Sequence, residues 1–173
     1  MHHIGVNIYK GGSRIITKYQ DSATILHKFL ERNIAQYQNI FITRARGSGK
    51  TYMVCPFAWK LVNSFSLCDM LDFLIFQWRL KLLKKEGYYA KALNKYLKPT
   101  LLIIDEWLLV KPNNSEAKHD FELIRKCCKR SSIIFCSQFR EEGWYERIGD
   151  DSILADVVMD RITYDFYKIN FKV

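Results

Sequence analysis

The stretch TRARGSGKTY, Thr43 to Tyr52, constrains this chain more than any other. It follows a short apolar run, IFIT, and leads into a helical pattern from about Lys50. A glycine-rich turn between a buried strand and a helix lets backbone N–H groups approach phosphate oxygens, and the helix start adds positive potential. In the pattern G-x-x-x-x-G-K-[ST], Lys50 reaches the terminal phosphates and the Thr51 hydroxyl binds Mg²⁺. Arg46, Gly47, Ser48, Gly49, Lys50, Thr51 and Tyr52 are the candidate nucleotide-binding residues. The pattern asks for glycine at the mouth of the loop, where this chain has Arg44.

Three later segments supply candidate chemistry. LLIIDE is an apolar run closing on two acids; Asp105 suits a metal ligand and Glu106 a base that polarises water. IIFCSQ ends on Ser137 and Gln138, either of which could orient water or sense a terminal phosphate from a neighbouring strand tip. Arg161, in VVMDRI, reads from its own sequence context first as a surface ion pair with Asp160 or Asp165, and only second as a donor to transition-state charge in a neighbouring subunit.

The order of elements points to one fold class. Apolar strand patterns (IFIT, LLIID, SSIIFCS) alternate with helical ones over 72–86, in YYAKALNKYL, in NNSEAKHDFELIRKCCKR and in DDSILADVVMDRI. A weaker strand is expected at 65–71, a helix after Asp21-Ser22, and a final strand in TYDFYKINFKV. Alternation of this kind predicts an α/β sandwich with a mainly parallel sheet. Ligands of such sheets bind beyond the carboxyl ends of the strands, where the glycine loop, Asp105 and Ser137 would meet. The first twenty residues show no clear period, so residues 1–20 are expected to be a poorly structured or partial extension and 21–173 the folded core.

Charge narrows the partners. A formal net charge of +9 favours a polyanion. The basic run includes Lys81, Lys84, Lys85, Lys91 and Lys95, which are candidate phosphate contacts on DNA, interleaved with Trp78, Tyr88, Tyr89 and Tyr96. Helical spacing assigns part of that aromatic set to the core. The five cysteines have no C-x-x-C spacing and the four histidines no metal-ligand spacing. This predicts a reducing, cytoplasmic setting without disulfides. The most apolar stretch, LCDMLDFLIFQWRLKLL, is too polar to span a membrane.

The motif order resembles the IstB/DnaC-like helper ATPases of insertion sequences, a branch of the AAA+ superfamily. The resemblance runs from about residue 20 to the end and rests on GSGKTY, EGYYAKALNKYLKPTLLIIDEWLL, RSSIIFCSQF, GWYERIGDD and LADVVMDRI. It implies an AAA+ P-loop three-layer sandwich, with a five-stranded sheet in the order 5-1-4-3-2 and no separate lid domain. It further implies ATP and Mg²⁺ as cofactors, assembly as a homo-oligomer on double-stranded DNA, and service to a DDE-type transposase. By position, Lys50 and Thr51 fall on the Walker A motif, Asp105 and Glu106 on Walker B, Ser137 and Gln138 on sensor 1, and Arg161 on the arginine finger. Residues 72–98 fall where this clade carries an additional DNA-facing helix. The chain departs from the family at Arg44, at Arg46, at Pro56 in the helix after the loop, and in its short N-terminal region. Those departures raise a second reading, a non-hydrolysing DNA-binding remnant. A P-loop small-molecule kinase is the third, and no lid-like arginine cluster supports it.

Overall fold

The computed structural model describes residues 5–10, 13–18, 28, 32–33, 35–43, 68–128 and 130–172. The glycine loop, Pro56 and most of the helix expected after Asp21-Ser22 lie outside the described residues.

The most apolar runs become the central strands. Strands β3 (Asn39–Thr43), β4 (Cys68–Asp72), β5 (Leu101–Asp105) and β6 (Ser132–Ser137) pair in parallel. Leu101 to Ile104 and Ile133 to Cys136 are essentially inaccessible to solvent. That is why these segments read as continuous apolar runs rather than alternating ones. Each such side chain contributes about 1.5–3 kcal/mol of burial free energy. Strand β7 (Phe166–Lys172) runs parallel to β3 on its other side.

The five parallel strands therefore follow the expected 5-1-4-3-2 order, but the sheet is larger than expected. Strands β1 (Gly5–Lys10) and β2 (Ser13–Lys18) form an antiparallel hairpin, and β1 adds antiparallel to β7. The result is a seven-stranded sheet, β2-β1-β7-β3-β6-β5-β4, in place of a five-stranded one. Covering the β7 edge satisfies backbone groups that an open edge would leave unpaired.

Helices cover the sheet and start where short polar side chains cap them. Helix α1 (Phe73–Lys85) begins at Asp72, whose carboxylate accepts from the Ile75 N–H at 3.1 Å. It ends in a turn at Gly87, whose φ of +76° suits a residue without Cβ. Helix α2 (Tyr89–Lys95) follows. Helix α3 (Asn114–Cys127) opens with a capping box, in which Asn113 and Glu116 satisfy each other's backbone N–H groups. A short helix α4 (Tyr145–Ile148) precedes α5 (Ser152–Thr163), capped by Asp151. An aromatic cluster joins sheet to helices: Trp144 lies 4.6 Å from Phe41, 5.9 Å from Phe135 and 6.1 Å from Trp107, centroid to centroid. Among the described residues no helix is long and apolar enough to cross a membrane.

One buried group opposes folding at neutral pH. Asp120 on α3 is 4% exposed and accepts a hydrogen bond from Gln77 Nε2 at 2.9 Å, while its second oxygen has no partner. Burial pushes its pKa well above the usual carboxylate range; the Gln77 bond works against this and nearby Glu116 adds to it. A raised folded pKa means the stability linked to the proton is complete below the unfolded value and is lost as pH rises through the folded one. Asp120→Asn, neutral at every pH, is therefore expected to raise Tm at pH 8 and to lose that advantage towards pH 4. Thermal melts across that range check it; an unchanged or lowered Tm at pH 8 would refute the cost.

Candidate functional site

The parallel register brings the second and third motifs to one rim. Thr43 lies opposite Ser137, Ile104 opposite Phe135, and Asp72 opposite Asp105. Thr43, Asp105 and Ser137 therefore sit at the carboxyl ends of three adjacent strands. Thr43 is the last described residue before the glycine loop, so the loop springs from this rim. The hydroxyl of Thr43 is buried there without a hydrogen-bond partner. Arg46, Gly47, Ser48, Gly49, Lys50, Thr51 and Tyr52 themselves lie outside the described residues.

The chain turns sharply after Asp105. The Glu106 N–H donates to Asp105 Oδ1 at 3.0 Å, and Glu106 has a φ of +56°. A non-glycine residue in this left-handed region carries a conformational cost that the surroundings must impose. Four contacts impose it. The Trp107 N–H donates to the Cys136 carbonyl at 2.9 Å, and the Leu109 N–H to the Glu106 carbonyl at 3.0 Å. Arg147, on α4, donates through Nε to the Leu108 carbonyl at 2.9 Å and through Nη2 to the Leu109 carbonyl at 2.8 Å. Its guanidinium also stacks on Phe139, 3.7 Å from the ring centroid. Arg147 thus clamps the turn after β5 to the segment after β6. It lies in GWYERIGDD, and nothing in its spacing announces that role.

The two residues at the tip of β6 have different positions. Ser137 is fully buried, donates its hydroxyl to the Trp107 carbonyl at 2.8 Å, and accepts from the Phe139 N–H at 3.1 Å. It staples the tips of β5 and β6. Gln138 is half-buried, with Nε2 3.4 Å from Glu106 Oε2. An amide beside the carboxylate can orient the same water that the carboxylate polarises.

A nucleotide-bound Mg²⁺ suits this rim. Among the described residues no cluster of three or more His, Cys, Asp or Glu is arranged to hold a metal. Mg²⁺ in phosphate sites takes one or two protein ligands and fills its octahedron from phosphate and water. Asp105, on the same rim with β6 between its strand and the origin of the loop, fits that sparse ligand set.

Arg161 is elsewhere. It is exposed on the last turn of α5, its guanidinium 5.7 Å from the Phe121 ring centroid. The next residue's carbonyl, Ile162, accepts from Asn39 Nδ2 at 3.2 Å, which pins the end of α5 to the amino end of β3. The length of β3, ~13 Å at strand rise, separates that end from the rim. A cavity of about 590 Å³ beside Arg161 is bordered by Tyr37, Gln38 and Tyr164, the last 81% exposed.

The candidate lysines divide as well. Lys81 forms an ion pair with Glu116, and Lys84 Nζ lies 3.3 Å from His119 Nε2, so both lean on α3. Lys85 is exposed at the end of α1, while Lys91 and Lys95 border a groove between α1 and α2. Of the interleaved aromatics, Tyr96 is buried and Tyr89 is held by Glu122 at 2.6 Å, whereas Trp78 and Tyr88 are exposed.

Known proteins share both sequence and fold with this chain. It is 30% identical over 139 residues to "Putative insertion sequence ATP-binding protein y4pL" of Sinorhizobium fredii, covering 79% of this chain and 56% of that protein. It is 27% identical over 145 residues to "Insertion sequence IS5376 putative ATP-binding protein" of Geobacillus stearothermophilus, covering 80% and 55%. The chain spans about half the length of these curated relatives. Among solved structures, DnaI superposes with a TM-score of 0.70 at 18% identity, covering 90% of this chain and 88% of that one. Domain III of DnaA from Thermotoga maritima gives 0.63 at 18%, covering 88% and 63%. The α/β architecture is that of these AAA+ domains. Residues 23–173 match the family described as IstB-like ATP binding protein, and the chain belongs to that family.

Proposed function

We propose that the chain is an ATP-binding helper of DNA transposition, with the AAA+ core of that helper at residues 21–173 and the β1–β2 hairpin added to the edge of its sheet. Mg-ATP would bind between the loop at 46–52 and the rim of the sheet. Lys50 would contact the terminal phosphates, and Thr51 and Asp105 would hold Mg²⁺, which supplies charge neutralisation at the phosphates. Glu106, oriented by Gln138, would take the proton of the attacking water. The observation that carries this reading is the turn at Glu106. Its strained backbone, braced by Arg147 and Ser137, fixes a carboxylate beside Asp105 and within reach of Gln138.

Arg161 is proposed to complete the site of a neighbouring subunit. Its position at the amino end of β3, away from the rim of its own sheet, supports action in trans. A mixing experiment tests this. Arg161→Ala and Glu106→Gln are each expected to be inactive alone, and a mixture should regain ATPase activity where an intact Glu106 meets an intact Arg161. No recovery on mixing, with both variants folded and binding ATP, would sink the trans assignment.

Duplex DNA, a second copy of the chain and a transposase are the proposed partners. The net charge of +9 and the exposed Lys81, Lys84 and Lys85 on α1 support phosphate contact. The ion pair to Glu116 leaves Lys81 half exposed, and such surface pairs yield readily to a stronger anion. The insertion-sequence relatives support the transposition setting.

A further inference from the structure

Helix α1 turns different faces to different neighbours at 100° per residue. Gln77, Lys81 and Lys84 face α3, where they meet Asp120, Glu116 and His119. Phe76, Arg79, Leu80 and Leu83 face α2 and enclose a groove of about 370 Å³ with Ala92 and Tyr96. The floor of that groove is apolar: Phe76, Leu80 and Tyr96 show almost nothing to solvent beyond it. Its rim is cationic, formed by Arg79, Lys91 and Lys95, and among the described residues no acid lines it. One helix step past Arg79, a second apolar strip stands open. Ile75, Trp78 and Leu82 are 54%, 62% and 43% exposed at helical spacing.

We propose that this groove and the adjoining strip dock an acidic amphipathic segment of another protein. Of the floor residues Phe76, Leu80 and Tyr96 only Tyr96 carries a donor, its phenol, so a nucleic-acid backbone would leave most of the apolar floor unfilled. A bulky apolar side chain fits it, and carboxylates flanking that side chain would meet the three rim cations. The strip of Ile75, Trp78 and Leu82 extends the apolar contact beyond one side chain, as a helix laid along α1 requires. Lys91 and Lys95, candidate DNA contacts by sequence, thereby serve a protein partner. This assignment does not depend on nucleotide hydrolysis.

The test uses the full chain and a labelled synthetic peptide, with Leu and Phe on one helical face and Asp and Glu on the other. Fluorescence anisotropy should show saturable micromolar binding. The surface change Lys91→Glu with Lys95→Glu should weaken it about tenfold or more, as loss of paired charges does. Ala92→Trp, which fills the groove from one side, should weaken it comparably while leaving affinity for duplex and single-stranded DNA within about twofold. The proposal is overturned if the peptide does not bind the wild type, or if it binds the folded variants as tightly. It is also overturned if Ala92→Trp costs DNA affinity as much as peptide affinity, which would give the groove to nucleic acid.

Discussion

Glu106→Gln is expected to lower ATP turnover by about 10²–10⁴-fold, the usual worth of a positioned general base, while ATP affinity stays close to wild type. The substitution keeps the side chain's length and its place beside Gln138, 3.4 Å from its amide. It keeps the backbone turn as well, because the left-handed φ at 106 is imposed by the bonds around it. What it removes is a carboxylate able to accept a proton. Steady-state phosphate release, with ATP affinity measured in parallel, separates the two effects. Wild-type turnover in the variant would take the base role from Glu106. A wild type without turnover, binding ATP and DNA, would favour the non-hydrolysing reading.

The largest expected change in stability comes from Trp144. Its ring is fully buried among Phe41, Trp107 and Phe135, and its Nε1–H donates to the Phe139 carbonyl at 3.0 Å. Trp144→Ala empties the volume where helix α4 meets the sheet and removes the hydrogen bond to that carbonyl. Core aromatic truncations cost about 3–5 kcal/mol, and a domain of this size loses roughly 2–4 °C of Tm per kcal/mol. A fall in Tm of about 10 °C is expected. The damage should also reach the site, because Phe139 carries the Arg147 guanidinium and Arg147 braces the turn after Asp105. A fall of only a degree or two in a calorimetric scan would show that the aromatic cluster is not the keystone its burial indicates.

The parts of the fold legible in the sequence are those buried on both sides. The runs LLII and IIFC admit no strongly polar residue until the rim, so their ends and the chemistry placed there stand out together. The hairpin β1–β2 escaped because β1 is buried on both faces at Asn7 and Ile8, which hides the alternation, and a bulge between Ile8 and Tyr9 interrupts it further. The signal was Gly11-Gly12, two glycines between short runs of strand-forming residues. Asp120 reads as a surface acid in a charged helix; only its packing against Gln77 reveals burial. Ser137 and Gln138 are equal candidates by sequence. Only the hydrogen bonds divide them, with the serine closing a staple and the glutamine facing Glu106. Arg147 has no sequence signature, because its partners are backbone carbonyls far along the chain.

The central claim is that this rim and the loop springing from it hold ATP. Equilibrium titration with a fluorescent ATP analogue in the presence of Mg²⁺, on the wild type and on Lys50→Ala, tests it most directly. Removal of the ammonium that meets the terminal phosphates should weaken binding by at least about tenfold, one charge-assisted hydrogen bond being worth about 1.5–3 kcal/mol, with folding unchanged. Equal affinity in the two proteins, or no binding by the wild type, would contradict it.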